Sequence, residues 1–388
     1  MKRLLFLAMI FSSVRVFSQS SMQDFFYVRT TDSLPFLNYG LGEDRLGGAK
    51  MTFLDSNVVL KVVDSVQDFY KVQLSQLHFA YIEKKKVAPA PPLPQREHLA
   101  SSWKVYGDDH YDYVTIKLDA QLPYQSEMQI NPTRIIVYLY GVTSNTNWIT
   151  QLSSAREIKN VWYEQPEDDV MKVIIELKHS QDWGYHIFYE PDDKLTIRIK
   201  RRPKILTLNH LTIAIDPGHG GDNEGATGVR SHIREKNYTL MIAKLVRREL
   251  LLRKAHVIMT RTKDTTLSMY ERISYLQQKD PDLLVSIHLN DADIDTVRGV
   301  STYYRYIGFR KLSQSILSSL LLTGLHEYGN IGSFNFALNG PTEYPNCLVE
   351  VAFLSNRSDE RKILNPRFRQ LVAKRIVLGI MDFLKKSK

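Results

Sequence analysis

His219, Glu235, His288 and Glu350 are the residues of this 388-residue chain whose types and placement could do chemistry together. His219 stands in D-P-G-H-G-G after the apolar run L-T-I-A-I, in a glycine-rich turn where backbone can approach a ligand closely. Such a turn could also cradle phosphate, but it has neither the G-x-G-x-x-G spacing nor a G-K-S/T ending. Glu235 opens E-K-N-Y-T-L-M-I-A-K-L. A carboxylate in a first helical turn is commonly just a partner for the helix dipole, contributing under ~1 kcal/mol. His288 ends L-L-V-S-I-H, where a single histidine is more often structural than a ligand. Glu350 lies inside C-L-V-E-V-A-F-L, a run otherwise apolar enough for a central strand. An unpaired carboxylate is costly to bury there. A metal or catalytic role would account for it, and so would a buried ion pair with an arginine such as Arg272.

Two imidazoles and a carboxylate holding Zn2+, with the fourth position open to water and a separate glutamate as base, form a standard hydrolytic arrangement. The separations are long and lack the H-E-x-x-H spacing, so the residues alone leave the metal and structural readings both open. What would bring the four together is the pattern around them. After residue 207, apolar strands alternate with amphipathic helices: L-T-I-A-I, a helix from Glu235 to Leu252, H-V-I-M-T, a helix from Ser268 to Gln278, and L-L-V-S-I-H. Then come S-T-Y-Y-R-Y, a helix through Leu312 to Leu325, C-L-V-E-V-A-F-L, and a helix near Arg367 to Leu384. This alternation predicts an α/β domain over 207–388, with a mostly parallel sheet flanked by helices. Sites in such sheets gather beyond the carboxyl ends of the strands, where both histidines fall.

The first half of the chain reads differently. Residues 1–18 have the basic, apolar and small-residue regions of a secretory signal, M-K-R, then Leu4 to Val14, then V-F-S. That apolar run of about eleven residues is too short to span a bilayer. Elsewhere no stretch reaches the ~18 uninterrupted apolar residues of a membrane span, so the mature protein is expected to be exported without a transmembrane segment. Short β-like runs, V-V-L-K-V-V and F-Y-K-V-Q-L, predict a small all-β barrel over 20–85. The proline-rich stretch 86–97 is expected to be an extended linker. Period-two runs over 98–204, among them R-I-I-V-Y-L-Y and K-L-T-I-R-I, predict a β-sandwich. The chain is therefore multidomain, all-β segments followed by the α/β domain.

A formal net charge of +9 suits an anionic polymer as partner. Nucleic acid is not expected: the basic residues are spread along the chain and no nucleic-acid motif appears. The single cysteine, Cys347, rules out an intramolecular disulfide and a cysteine-built zinc cluster.

The segments I-A-I-D-P-G-H-G-G, R-E-K-N-Y-T-L, T-R-T-K-D, Y-E-R, L-V-S-I-H-L-N and L-V-E-V-A-F-L-S-N resemble, in order, the motifs of the zinc-dependent N-acetylmuramoyl-L-alanine amidases. The resemblance implies one Zn2+ held by His219, Glu235 and His288, with Glu350 as the catalytic base. It also implies hydrolysis of the amide between N-acetylmuramic acid and L-alanine in peptidoglycan, for wall remodelling or daughter-cell separation, with an activator protein as a candidate partner. Two departures stand out: Ala352 replaces a glycine of the family's V-E-x-G-F-L-S-N, and F-A-L-N-G-P-T-E-Y-P-N is not the commoner version of its stretch. Residues 98–204 resemble the AMIN domain that often precedes such amidases, which favours a periplasmic setting. The segment D-F-Y-K-V resembles the end of bacterial SH3-type wall-binding domains. Two alternatives stay in view: a zinc peptidase cutting within the stem peptide, and a non-catalytic wall-binding protein.

Overall fold

The computed structural model describes residues 25–31, 34–42, 47–93 and 98–388. The segment expected as a signal, 1–18, lies outside them. A seven-stranded sheet forms first, in the order Lys50–Phe53, Phe36–Asn38, Phe79–Glu83, Phe69–Gln73, Val59–Val66, Phe26–Thr30, Val87–Ala90. Its last strand comes from the proline-rich stretch expected as a linker, with Pro89 opposite Val28. Proline, which has no N–H to donate, is tolerated there because the strand lies at the edge.

Besides a two-stranded pair, His98–Ala100 with Val142–Ser144, two further sheets follow. One has five strands, ordered Ile149–Gln151, Trp103–Gly107, Tyr111–Lys117, Lys194–Lys200, Tyr185–Glu190; the other has four, ordered Tyr124–Gln129, Arg134–Tyr140, Val170–Leu177, Ile158–Glu167. Alternation sets their inner faces: Trp103 and Val105 are buried while Lys104 between them is exposed. Ile116 and Ile197 of the first sheet share one core with Val137 and Ile175 of the second, and that core runs on into Val28, Leu60 and Val72 of the seven-stranded sheet.

The α/β region contains β1 (Thr212–Pro217), α1 (Glu235–Leu251), β2 (His256–Met259), α2 (Met269–Lys279), β3 (Leu283–Asn290), β4 (Val300–Tyr303), α3 (Arg310–Leu321), β5 (Glu327–Ile331), β6 (Asn346–Phe353), α4 (Arg357–Leu364) and α5 (Pro366–Lys386). The sheet order is β2-β1-β3-β6-β4-β5. Four pairings are parallel and one, β4 with β6, is antiparallel, so the sheet is mixed where a mostly parallel one was expected. The cause is the connection 291–299. It holds no helix and is too short for a crossover back to the far edge, so β4 enters from the end where β3 finishes and runs the other way.

Strand alternation feeds two cores. Ile213, Ile215, Leu283 and Val285 face α1, α3 and α5, while Ala214 and Leu284 face Ile273 and Leu276 of α2. The start of α2 is fixed by a capping box in which Ser268 and Glu271 satisfy each other's backbone N–H. The β and α/β regions also exchange side chains. Trp183, from the loop before the Tyr185–Glu190 strand, sits in the α/β core with its ring 5.7 Å from that of Phe383. In return, Phe309 of the α/β region belongs to the β core. Gln181 Nε2 donates to Gly308 O at 2.8 Å, and Tyr185 N to Thr342 O at 2.8 Å, beside this exchange.

Candidate metal centre

The carboxyl ends of β1 and β3 and the first residue of α1 meet at one point. β1 ends at Pro217; Gly218 then turns, and His219 follows with φ 60°, the left-handed region that non-glycine residues enter at a cost of about 1 kcal/mol. Gly218 is required by close approach: a Cβ there would lie 2.4 Å from the His288 ring. Glu235 has its side chain 4% exposed, and its Oε1 lies 3.0 Å from His219 Nε2 and 3.1 Å from His288 Nδ1. The same oxygen accepts from Leu289 N at 2.9 Å, and Oε2 accepts from Ala226 N at 2.8 Å. One nitrogen or oxygen from each of the three residues falls within 4.8 Å of the others.

This donor set fits zinc, which takes imidazole and carboxylate ligands together. His219 Nδ1 pairs with Asn223 Oδ1 at 2.8 Å, which leaves Nε2 to face the cluster. The cradle is shaped for it as well: at Gly225, φ +67°, a Cβ would come 2.4 Å from Glu235 Oε2 and 2.7 Å from His219 Cδ2. Side-chain exposures of 22% for His219 and 18% for His288 leave the cluster open on one side. Burial alone would raise the Glu235 carboxyl, but the two imidazoles beside it hold it well below the usual carboxylate range. Burial makes His219 harder to protonate, but the hydrogen bond and charge of Glu235, with the Asn223 hydrogen bond, together outweigh it, so its imidazole is more basic than usual.

Glu350 lies in the middle of β6, 6% exposed, opposite His288 on β3 and Ser301 on β4. Neighbouring strands are ~4.8 Å apart, so its side chain leaves the sheet beside that of His288. Tyr303, two residues beyond Ser301, shares this face. Burial raises its hydroxyl pKa, with the Glu350 charge contributing.

Arg272 is not the partner of Glu350 that an ion-pair reading of that glutamate called for. Its Nη1 lies 2.5 Å from Asp216 Oδ1, and its Nη2 donates to His219 O at 2.6 Å. Sequence reasoning included Arg261 in the motif T-R-T-K-D but gave it no role. Only 3% exposed, it donates from Nε to Pro217 O at 3.0 Å and from Nη2 to Gly218 O at 2.8 Å. Three successive carbonyls of the His219 turn are thus held by two buried guanidinium groups. The available signal was an arginine directly after the apolar strand H-V-I-M-T.

An α/β domain with a His–Glu–His cluster at the carboxyl edge of its sheet has the make-up of a metal-dependent hydrolase. Residues 213–382 match the family model described as N-acetylmuramoyl-L-alanine amidase. That match covers a little under half of the chain, so the likeness to this family is one of its α/β region. The chain is 33% identical over 177 residues to a protein of Staphylococcus epidermidis described as "Probable cell wall amidase LytH", covering 45% of this chain and 59% of that one. The chain thus spans about three fifths of the length of the curated relatives it matches. Among solved structures, an N-acetylmuramoyl-L-alanine amidase from Clostridium difficile 630 is 32% identical, covering 46% of this chain and all of the other, at a TM-score of 0.45. The catalytic domain of an amidase from Bacillus (Paenibacillus) polymyxa is 30% identical over 46% of this chain and 99% of its own, at 0.44.

Proposed function

We propose that this chain hydrolyses the amide joining the lactyl group of N-acetylmuramic acid to L-alanine in peptidoglycan, with Zn2+ held by His219, Glu235 and His288. The observation that carries the reading is the convergence of those three donors with Glu350 standing beside His288 on the next strand. When bound, the metal supplies carbonyl polarisation and lowers the pKa of a water toward ~7. Glu350 takes a proton from the attacking water as its oxygen bonds to the carbonyl carbon, and returns that proton to the nitrogen as the C–N bond breaks. A carboxylate on an apolar strand is suited to both halves of this duty. The turn held by Arg261 and Arg272 keeps His219 in place throughout.

In this reading the chain is exported, with the periplasm as its compartment, and residues 20–85 and 98–204, the latter AMIN-like, hold it to the wall while 207–388 cuts. No described helix is long and apolar enough to cross a membrane. The stretch between Asn290 and Leu312 has no room for the long helical insert that blocks the site in some septal amidases, so in this reading the enzyme lacks that autoinhibition.

Digestion of purified peptidoglycan, with and without a chelator, tests the proposal through mass spectrometry of the soluble products. Free stem peptides beginning with L-alanine, lost on chelation, are the expected result. Cleaved peptides still attached to muramic acid would replace the amidase with a stem peptidase. An absence of products from folded, metal-loaded protein would indicate a missing activator protein or a non-catalytic wall-binding role.

A further inference from the structure

A cavity of about 240 Å3 lies where the seven-stranded sheet, the β-sandwich and the α/β region meet, and its described walls include none of the four site residues. Asp55 and Ser56 come from the first of these, Tyr124 and His186 from the second, and Gln277 and Glu343 from the third. Glu343 is the feature that asks for a ligand. It is 8% exposed, its Oε1 accepts from Gln277 Nε2 at 2.7 Å, and among the described residues no lysine, arginine or histidine forms an ion pair with it. Two tyrosine hydroxyls on the wall are committed elsewhere. Tyr124 donates to Ile187 O at 3.0 Å and Tyr306 to Gly340 O at 3.1 Å.

Asp55, the other carboxylate on the wall, accepts from Ser56 N at 2.8 Å and from Tyr189 N at 2.7 Å, and so adds negative charge without neutralising any. The described walls contain neither lysine nor arginine. A carboxylate withdrawn from water is stable only when a counter-charge or further donors reach it. Here the protein provides one amide donor, and Glu343 lines a cavity large enough for a group the size of an amino acid.

We propose that this junction binds a small primary-ammonium compound, with Glu343 receiving the ammonium. Two sources would present this chemistry: a free amino acid or amine, and, resting on the amidase reading above, the α-ammonium that amide cleavage leaves on L-alanine of the released stem peptide. Because the walls come from three parts of the chain, an occupant would stabilise their junction and raise the melting temperature with the logarithm of one plus the ratio of ligand concentration to Kd.

The test is calorimetric titration and thermal melting of the full chain with L-alaninamide, N-acetyl-L-alaninamide and L-alanyl-D-glutamate. Saturable binding and a rise in Tm are expected with L-alaninamide and absent with its acetylated form. Glu343→Gln is expected to weaken binding at least tenfold without lowering the Tm of the ligand-free protein. Ser56→Lys, which places an ammonium on another part of the same wall, is expected to raise that Tm and weaken binding, and it keeps the question open to test if Glu343→Gln does not fold. Tighter binding of L-alanyl-D-glutamate than of L-alaninamide would name the stem peptide as the source, and equal binding would name free amines. No binding by the unaltered chain, equal binding of the acetylated compound, or unchanged affinity in the variants would overturn the proposal. No readout involves hydrolysis, so these outcomes are independent of whether the chain is an amidase.

Discussion

Arg272 and Asp216 form an ion pair sealed inside the α/β region, Nη1 to Oδ1 2.5 Å, with each side chain 1% exposed. Asp216 also accepts from Ser286 Oγ at 2.6 Å and Thr260 Oγ1 at 2.5 Å. Burial disfavours its charge, but the Arg272 guanidinium and these hydroxyls hold the carboxyl below the usual range. Removing one member leaves the other buried and uncompensated, so Arg272→Ala is expected to cost about 3–5 kcal/mol in urea unfolding. Arg272→Ala should also weaken metal binding, because it frees the His219 carbonyl. A variant that unfolds like the unaltered chain would refute this account of the turn.

Glu350→Gln keeps the shape of the side chain and removes its basicity. Hydrolysis should fall ~100-fold to ~10,000-fold while metal content and melting temperature stay unchanged. Loss of metal in this variant would instead make Glu350 a ligand.

His219→Ala and His288→Ala each remove one of three donors. Both should abolish the zinc-induced rise in melting temperature that the unaltered chain shows after chelation and reloading. An unaltered zinc response in either variant would remove that residue from the ligand set.

Gly225→Ala tests the cradle rather than the ligands. A methyl group 2.4 Å from Glu235 Oε2, on backbone at φ +67°, must displace the carboxylate. Zinc affinity is expected to drop at least tenfold, measured by competition with a chromophoric chelator. Unchanged affinity would show that the loop 222–234 moves freely against α1.

Asp182 makes stability depend on pH. Its side chain is buried at the junction between the β and α/β regions, and burial pushes its carboxyl up to about 7, with the charge of Glu157 adding and the hydrogen bond from Gly184 N opposing. The unfolded value is ~3.9. Between these two values the folded state keeps a proton that the unfolded chain releases, so stability falls as pH rises from about 4 to about 7 and then levels. Asp182→Asn should remove that decline, leaving the variant roughly 2–4 kcal/mol more stable than the unaltered chain at pH ~8 and no more stable at pH ~4. Parallel pH profiles for the two proteins would exclude Asp182 as the source.

Of the four candidate site residues, His219 and Glu350 break a local pattern, a histidine among glycines and a glutamate in an apolar strand, whereas Glu235 and His288 fit ordinary structural roles and stood out only through the resemblance of their motifs. The partner of Arg272 was not. Asp216 and Glu350 both occupy buried strands, and only the packing of α2 against the sheet decides which carboxylate the guanidinium meets. Strand β5, E-Y-G-N-I, escaped notice because it is an exposed edge with little apolar alternation. Helix α4, R-S-D-E-R-K-I-L, has scarcely an apolar stripe. It buries Asp359 and Glu360, which accept backbone N–H groups from Gly299 and Ser231, so carboxylates do there what leucines do elsewhere. The antiparallel pairing of β4 could have been inferred from the length of 291–299.

The exchange of Trp183 and Phe309 between neighbouring cores bears on how such an enzyme would search a wall. A cutting domain on a tether samples every bond within the tether's reach. Here each region is plugged into the other, so the cutting edge travels only as the whole molecule travels. If the β regions hold the wall and the α/β region cuts it, as proposed above, the interval between grip and cut would be a fixed gauge, set by packed side chains and unaltered by lengthening any loop on the surface.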